Sequence, residues 1–147
     1  MIVDAIDNLA AKSHLIATCR AQGIPMVVSG GASGRMDPTA IQRGDLAEVT
    51  GDPFFKATRK LLRKHHGFET SAPWGIPTVF SMEPCANPQP LDYDEGTGFV
   101  CVCPQGDNGM HTCDQRNLIY GTASFVTGAF GLACAAAVVD RLVSASE

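Results

Sequence analysis

Apolar residues in this chain fall into short runs punctuated by glycine, proline and aspartate. Met1-Ile2-Val3-Asp4-Ala5-Ile6-Asp7 reads as a short apolar strand ending in a carboxylate. Over residues 8–22 the period becomes helical: Leu9, Leu15, Ile16 and Cys19 share a face with Lys12, and Gly23 supplies the stop. Pro25 leads into Met26-Val27-Val28, a second apolar strand bounded by Gly30-Gly31. Strand, helix and strand in this order predict a parallel β-α-β unit. A domain does not usually begin at a buried central strand without neighbours, so the pattern predicts a piece of a larger α/β domain.

Further along, Thr39-Ala40-Ile41-Gln42 is expected as a strand after the Asp37-Pro38 turn. Residues 53–66 predict an amphipathic helix, with Asp52 as N-cap and Pro53 in its first turn. Thr78-Val79-Phe80-Ser81 and Phe99-Val100-Cys101-Val102 are short strands, the second lying between irregular loops at 84–98 and 104–117. A helix over about 122–143 closes the chain. Residues 118–139 carry no charge, a length that could span a bilayer. Their Gly, Ala, Ser and Thr content suits close packing, so a buried helix is the favoured expectation and a membrane span the alternative.

Composition narrows the class. With 147 residues, 45% hydrophobic and 18% charged, the chain suits one soluble domain with a real core. A net charge of -4 means that any RNA contact must come from a local basic patch. Six cysteines in a chain this rich in aliphatic residues need no disulfide framework, and Asp4 and Asp7 interrupt any signal-peptide core. Reduced thiols in a cytosol-like compartment are expected.

Four groups of residues could carry chemistry. Asp7 closes a parallel strand, where open α/β sheets bind ligands; it could hold Mg²⁺ beside a nucleotide, or cap the following helix. Asp4 points to the other strand face and suits a structural acceptor. Gly30-Gly31-Ala32-Ser33-Gly34-Arg35 is a glycine-rich loop, but no helix follows it directly, which favours a tight turn over a phosphate cradle. Lys56, Arg59, Lys60, Arg63 and Lys64 form one helical face opposite Phe54, Ala57, Leu61 and Leu62, with His65 and His66 beyond. That face could bind RNA phosphates or simply be solvated. Cys101, Cys103, His111 and Cys113 could converge on zinc, although one residue between cysteines is tighter than usual and free thiols are the favoured reading.

Asp4-Ala5-Ile6-Asp7-Asn8 resembles the D-x-x-D-N segment of the ThiF/MoeB superfamily, adenylating enzymes related to ubiquitin-activating enzymes. The order Gly30-Gly31-Ala32-Ser33-Gly34, Asp37-Pro38-Thr39, Asp45-Leu46-Ala47 and Asp52-Pro53 is similar to the tRNA threonylcarbamoyladenosine dehydratase branch. Phe80-Ser81-Met82-Glu83-Pro84 and the Gly- and Ala-rich residues 121–137 resemble later elements of that branch. The resemblance implies an α/β fold: the C-terminal portion of a Rossmann-like ThiF-type adenylating domain, with a mixed sheet and a long C-terminal helix. Residues 1–147 would be a partial domain without the N-terminal nucleotide-binding half.

The implied reaction is ATP-dependent dehydration of threonylcarbamoyladenosine beside the tRNA anticodon. The carboxylate is adenylated, pyrophosphate leaves, and attack from within the same side chain closes the ring. Asp7 is implied at the Mg²⁺–ATP site, with Asn8 and Lys12 beside it. No cysteine inherits a nucleophile role. The family's glycine-rich nucleotide loop, ribose-binding acid and phosphate-gripping Arg and Lys match nothing in these residues, so the isolated chain is expected to be inactive and to bind no ATP. A homodimer is implied for the whole enzyme, in the cytoplasm or associated with mitochondria. Two alternatives stand: an activator of a sulfur-carrier or ubiquitin-like protein, which would favour paired C-x-x-C motifs that are absent, and a non-catalytic RNA-binding or oligomerisation fragment.

Overall fold

A computed structural model describes residues 1–71, 73–87 and 121–144. Strands β1 (Ile2–Asp4), β2 (Met26–Ser29), β3 (Ile41–Asp45) and β4 (Pro77–Ser81) form one mixed sheet in the spatial order β1-β2-β4-β3. β1, β2 and β4 run parallel, and β3 lies antiparallel to β4. Helix α1 (Leu9–Ala21) links β1 to β2, α2 (Pro53–His66) follows β3, and α3 (Ser124–Ser144) ends the described chain.

The layering follows from alternation along the strands. In β2, Met26 and Val28 enter a core with Ile16 and Cys19 of α1 and Phe55 and Leu62 of α2. Val27, between them, faces the other way and packs with Val79, Val126, Phe130 and Cys134. A strand buried on both faces needs apolar residues at every position, which is why Met26-Val27-Val28 reads as an unbroken run. The α1–α2 layer therefore covers one side of the sheet and α3 the other. Burying side chains such as Ile16, Phe55 and Leu62 contributes roughly 1.5–3 kcal/mol each.

Local signals set the helix ends. Asp52 caps α2 by accepting from Phe55 N at 3.0 Å, Pro53 occupies the first turn, and Gly67 ends it at φ 68°. α1 is capped by Asn8, whose side chain accepts from Ala11 N at 3.0 Å, so the cap expected at Asp7 lies one residue later. The strand expected from Thr39 begins only at Ile41. Pro38–Ala40 is a 3-10 helix instead, because the Asp37 carboxylate draws in Thr39 N at 2.8 Å and closes a turn.

α3 departs from expectation more strongly. The sequence favours a buried helix, but only Val126, Phe130 and Cys134 are buried, at a spacing that makes a single stripe. Phe125, Leu132, Val139, Leu142 and Val143 are exposed. One sheet face can cover only one side of a helix, so uniform apolarity in the sequence does not translate into uniform burial. By length and composition α3 could also cross a membrane. The strand expected at Phe99-Val100-Cys101-Val102 lies outside the described residues, as does most of the loop at 84–98 and all of that at 104–117.

Asp52 does two things at once: it caps α2 and pairs with the buried Arg35 guanidinium at 3.4 Å. Asp52→Ala should therefore cost about 3–5 kcal/mol, read as a lower urea midpoint, because it leaves a buried cation unpaired.

Candidate functional site

The floor of the site is a buried ion pair. Lys12, on the inner face of α1, is fully buried and its Nζ lies 2.9 Å from Asp4 Oδ2. The same ammonium donates to the Ser29 carbonyl at 3.1 Å, so it ties the last residue of β1 to the last residue of β2. Burial pushes the Lys12 pKa down, opposed by the hydrogen bond and charge of Asp4. Asp4 also accepts from Ile6 N at 2.9 Å, which sets the direction in which the chain leaves β1.

Above this floor a cleft of about 480 Å³ opens at the carboxyl ends of β1 and β2. Ala5, Ile6 and Asp7 line one side, and the loop from Ser29 to Ser33 lines another. Phe54 from α2 and Thr127, Phe130, Gly131 and Cys134 from α3 complete the walls. Ligands of open α/β sheets bind in this position, outside the carboxyl ends of parallel strands. Asp7 is exposed and, relieved of capping by Asn8, presents a hard oxygen ligand suited to a divalent cation. No Lys or Arg side chain lines the cleft among the described residues. Asp7 is the one carboxylate in this lining, and the cationic phosphate grip that a nucleotide needs is not among the described lining residues.

The other expected site residues are placed differently. Asn8 is used up as a helix cap, and Lys12 lies beneath the cleft, held by Asp4 and Ser29, because an ammonium in that apolar layer must be neutralised there. Cys134 borders the cleft, but burial pushes its thiol pKa up, with Ser29 and Lys12 pulling the other way. A raised pKa keeps it protonated and poorly nucleophilic. Sequence reasoning misses Ser29, Phe54, Thr127, Phe130 and Cys134 as cleft residues. They come from segments far apart in sequence, and no local spacing signals their convergence.

The glycine-rich loop is held by sterics. A Cβ on Gly30 would sit 2.8 Å from Asp52 Oδ2, and Gly34 has a φ of +68° with Cys85 Sγ and the Ala86 backbone against it. Arg35 Nε donates to the Glu83 carbonyl at 3.1 Å, while the Glu83 carboxylate accepts from Met36 N and Asp37 N. Asp45 accepts from Ala47 N, Trp74 N and Ile76 N. The expected turn role is therefore met, and the loop also walls the cleft.

On α2, Lys56, Arg59, Lys60, Arg63 and Lys64 border one open groove, as their spacing predicts. The lysines are exposed and the two arginines half-buried. Arg59 donates to the Leu46 carbonyl at 3.2 Å, and the Arg63 guanidinium lies 5.5 Å from the Trp74 ring centre. Burial, then the neighbouring charge of Arg63, lowers the Arg59 pKa. Cys101, Cys103, His111 and Cys113 lie outside the described residues; among those described, no cluster of His, Cys, Asp or Glu could hold a metal.

The mixed four-stranded sheet, the long last helix and a cleft at the strand ends define an α/β fold. No protein-family model matches the chain. The tRNA threonylcarbamoyladenosine dehydratase of Haemophilus influenzae is 34% identical over 144 residues, covering 97% of this chain and 50% of that protein. Its Escherichia coli counterpart is 33% identical over 145 residues, covering 97% and 52%. The solved E. coli enzyme in complex with AMP superposes with a TM-score of 0.74 at 30% identity, covering 98% of this chain and 48% of that one. The same enzyme in complex with ATP gives 0.72 at 29% identity, with the same coverage. Sequence and fold together make this chain similar to the C-terminal half of the tRNA threonylcarbamoyladenosine dehydratases. It spans about half the length of the curated relatives it matches.

The division of labour between Asp7 and Asn8 is open to measurement. Asn8→Ala should lower stability by about 1 kcal/mol through loss of the cap, whereas Asp7→Ala should change it by less than about 0.5 kcal/mol. Equal losses in urea titrations would return the cap to Asp7.

Proposed function

We propose that the chain serves as the C-terminal half of a dehydratase that cyclises threonylcarbamoyladenosine in tRNA, beside the anticodon, through an acyl-adenylate. Residues 1–147 would be the partial ThiF-type domain of that enzyme. The observation that carries the reading is Asp7, exposed at the carboxyl end of β1 and facing the cleft with no capping duty. Relatives that cover this chain almost completely are named for this dehydration, and the E. coli structures are described in complex with AMP and with ATP.

In this reading ATP converts the substrate carboxylate into a mixed anhydride with AMP, whose departure drives ring closure. Asp7 would supply a carboxylate to Mg²⁺, which would neutralise phosphate charge, and Asn8 keeps the loop after β1 in place by fixing the start of α1. Lys12 acts from below as a positioning residue. Phe54 and Phe130 supply apolar wall, which excludes water that would otherwise hydrolyse an acyl-adenylate. The phosphate grip must come from elsewhere in the working enzyme, since no cation lines the cleft among the described residues.

The test is a dehydration assay on tRNA carrying threonylcarbamoyladenosine, with the full-length gene product and Mg²⁺–ATP. Asp7→Asn should reduce kcat/KM by roughly a hundredfold while leaving thermal stability unchanged. Undiminished activity would remove Asp7 from the mechanism.

A further inference from the structure

Three ion pairs form among the described residues, and none involves α2: Lys12 with Asp4, Arg35 with Asp52 and Arg43 with Asp140. Lys56, Arg59, Lys60, Arg63 and Lys64 of α2 thus have no carboxylate partner there. They account for nearly half of the 11 Lys and Arg residues in a chain whose net charge is -4. Crowding them along one groove is unfavourable on its own: the Arg59 pKa is lowered first by burial and then by the charge of Arg63. A concentrated positive groove without a carboxylate partner is what an anionic backbone would complete.

The groove's position says where such a backbone leads. α2 begins at the cleft: Phe54, in its first turn, forms part of the wall shared with Asp7. The lysines follow from Lys56 to Lys64, about 12 Å along the axis at the usual helical rise. We infer that α2 is the track for the RNA sugar–phosphate backbone next to the modified nucleotide, delivering the base from the lysine groove over Phe54 into the Asp7 cleft. This deepens the dehydratase reading and rests on it.

The two arginines and the three lysines divide the work. Arg59 and Arg63 are anchored on the Leu46 carbonyl and the Trp74 ring, and so present fixed guanidinium planes. Lys56, Lys60 and Lys64 are exposed point charges. The cleanest variant therefore neutralises only the lysines, Lys56→Gln, Lys60→Gln and Lys64→Gln together, and should leave the thermal midpoint unchanged.

The experiment measures binding of a fluorescent anticodon stem-loop carrying threonylcarbamoyladenosine to the full chain across a salt series. The triple variant should bind at least about tenfold more weakly, and its log–log salt slope should be shallower by about 2, the value for three single-strand phosphate contacts. An unmodified stem-loop should bind within a few-fold of the modified one, because phosphate contacts carry no base information. Unchanged affinity and slope in the triple variant would overturn the inference, as would tighter binding of phosphatidylserine vesicles than of RNA. If the triple variant loses RNA while the Asp7→Asn assay shows no dehydration defect, the catalytic reading falls and the RNA track stands. Intact binding by the triple variant alongside a dead Asp7→Asn enzyme would overturn the track and leave the catalytic reading standing.

Discussion

One ammonium organises this molecule. Lys12 reaches from α1 into the junction between β1 and β2 and holds the Asp4 carboxylate on one side and the Ser29 carbonyl on the other. Both contacts are at the carboxyl ends of parallel strands, where the two lining loops leave the sheet. An unpaired charge in that apolar layer would cost several kcal/mol, so Lys12, Asp4 and the strand register stand or fall together. The cleft is the space left above this tie, and the direction of Asp7 into it follows from Asp4 fixing the next turn of chain.

The motifs that betray the family act mainly as braces. Asp37 with Thr39 closes the 3-10 turn, Asp45 gathers the backbone at Ala47, Trp74 and Ile76, and Asp52 joins a helix cap to the buried Arg35. Glu83, beyond β4, catches the amides of Met36 and Asp37. Asp37, Asp52 and Glu83 sit in loops and Asp45 ends β3, each meeting backbone amides outside the sheet, where side-chain acceptors are most needed. Such residues are tied to the fold more tightly than to the chemistry, so they report the family well and the reaction only indirectly.

The difference between local and long-range signals decides what is legible in the sequence. β1, α1, β2 and α2 can be read there because their apolar periods, caps and glycine stops are local. The basic face is legible for the same reason, since helical spacing alone brings Lys56 to Lys64 together. The walls that α3 lends the cleft, from Thr127 to Cys134, are not, because that contact depends on how α3 docks across the sheet. Lys12, which the resemblance puts beside the site, is fully buried and ties Asp4 to Ser29. The outer face of α3 misleads in the opposite sense: its apolar residues suggest a core, yet one sheet face covers only the Val126–Phe130–Cys134 stripe.

The Lys12 tie is the constraint from which the cleft follows. Urea unfolding of Lys12→Met, joined to amide hydrogen exchange read along the chain, tests it in one experiment. The tie predicts a loss of about 3–5 kcal/mol, with exchange rising first in residues 5–8 and 29–33, and partial recovery when Asp4→Leu is added to remove the orphaned carboxylate. Stability within about 0.5 kcal/mol of the parent, or faster exchange spread evenly over α2 and α3, would contradict it.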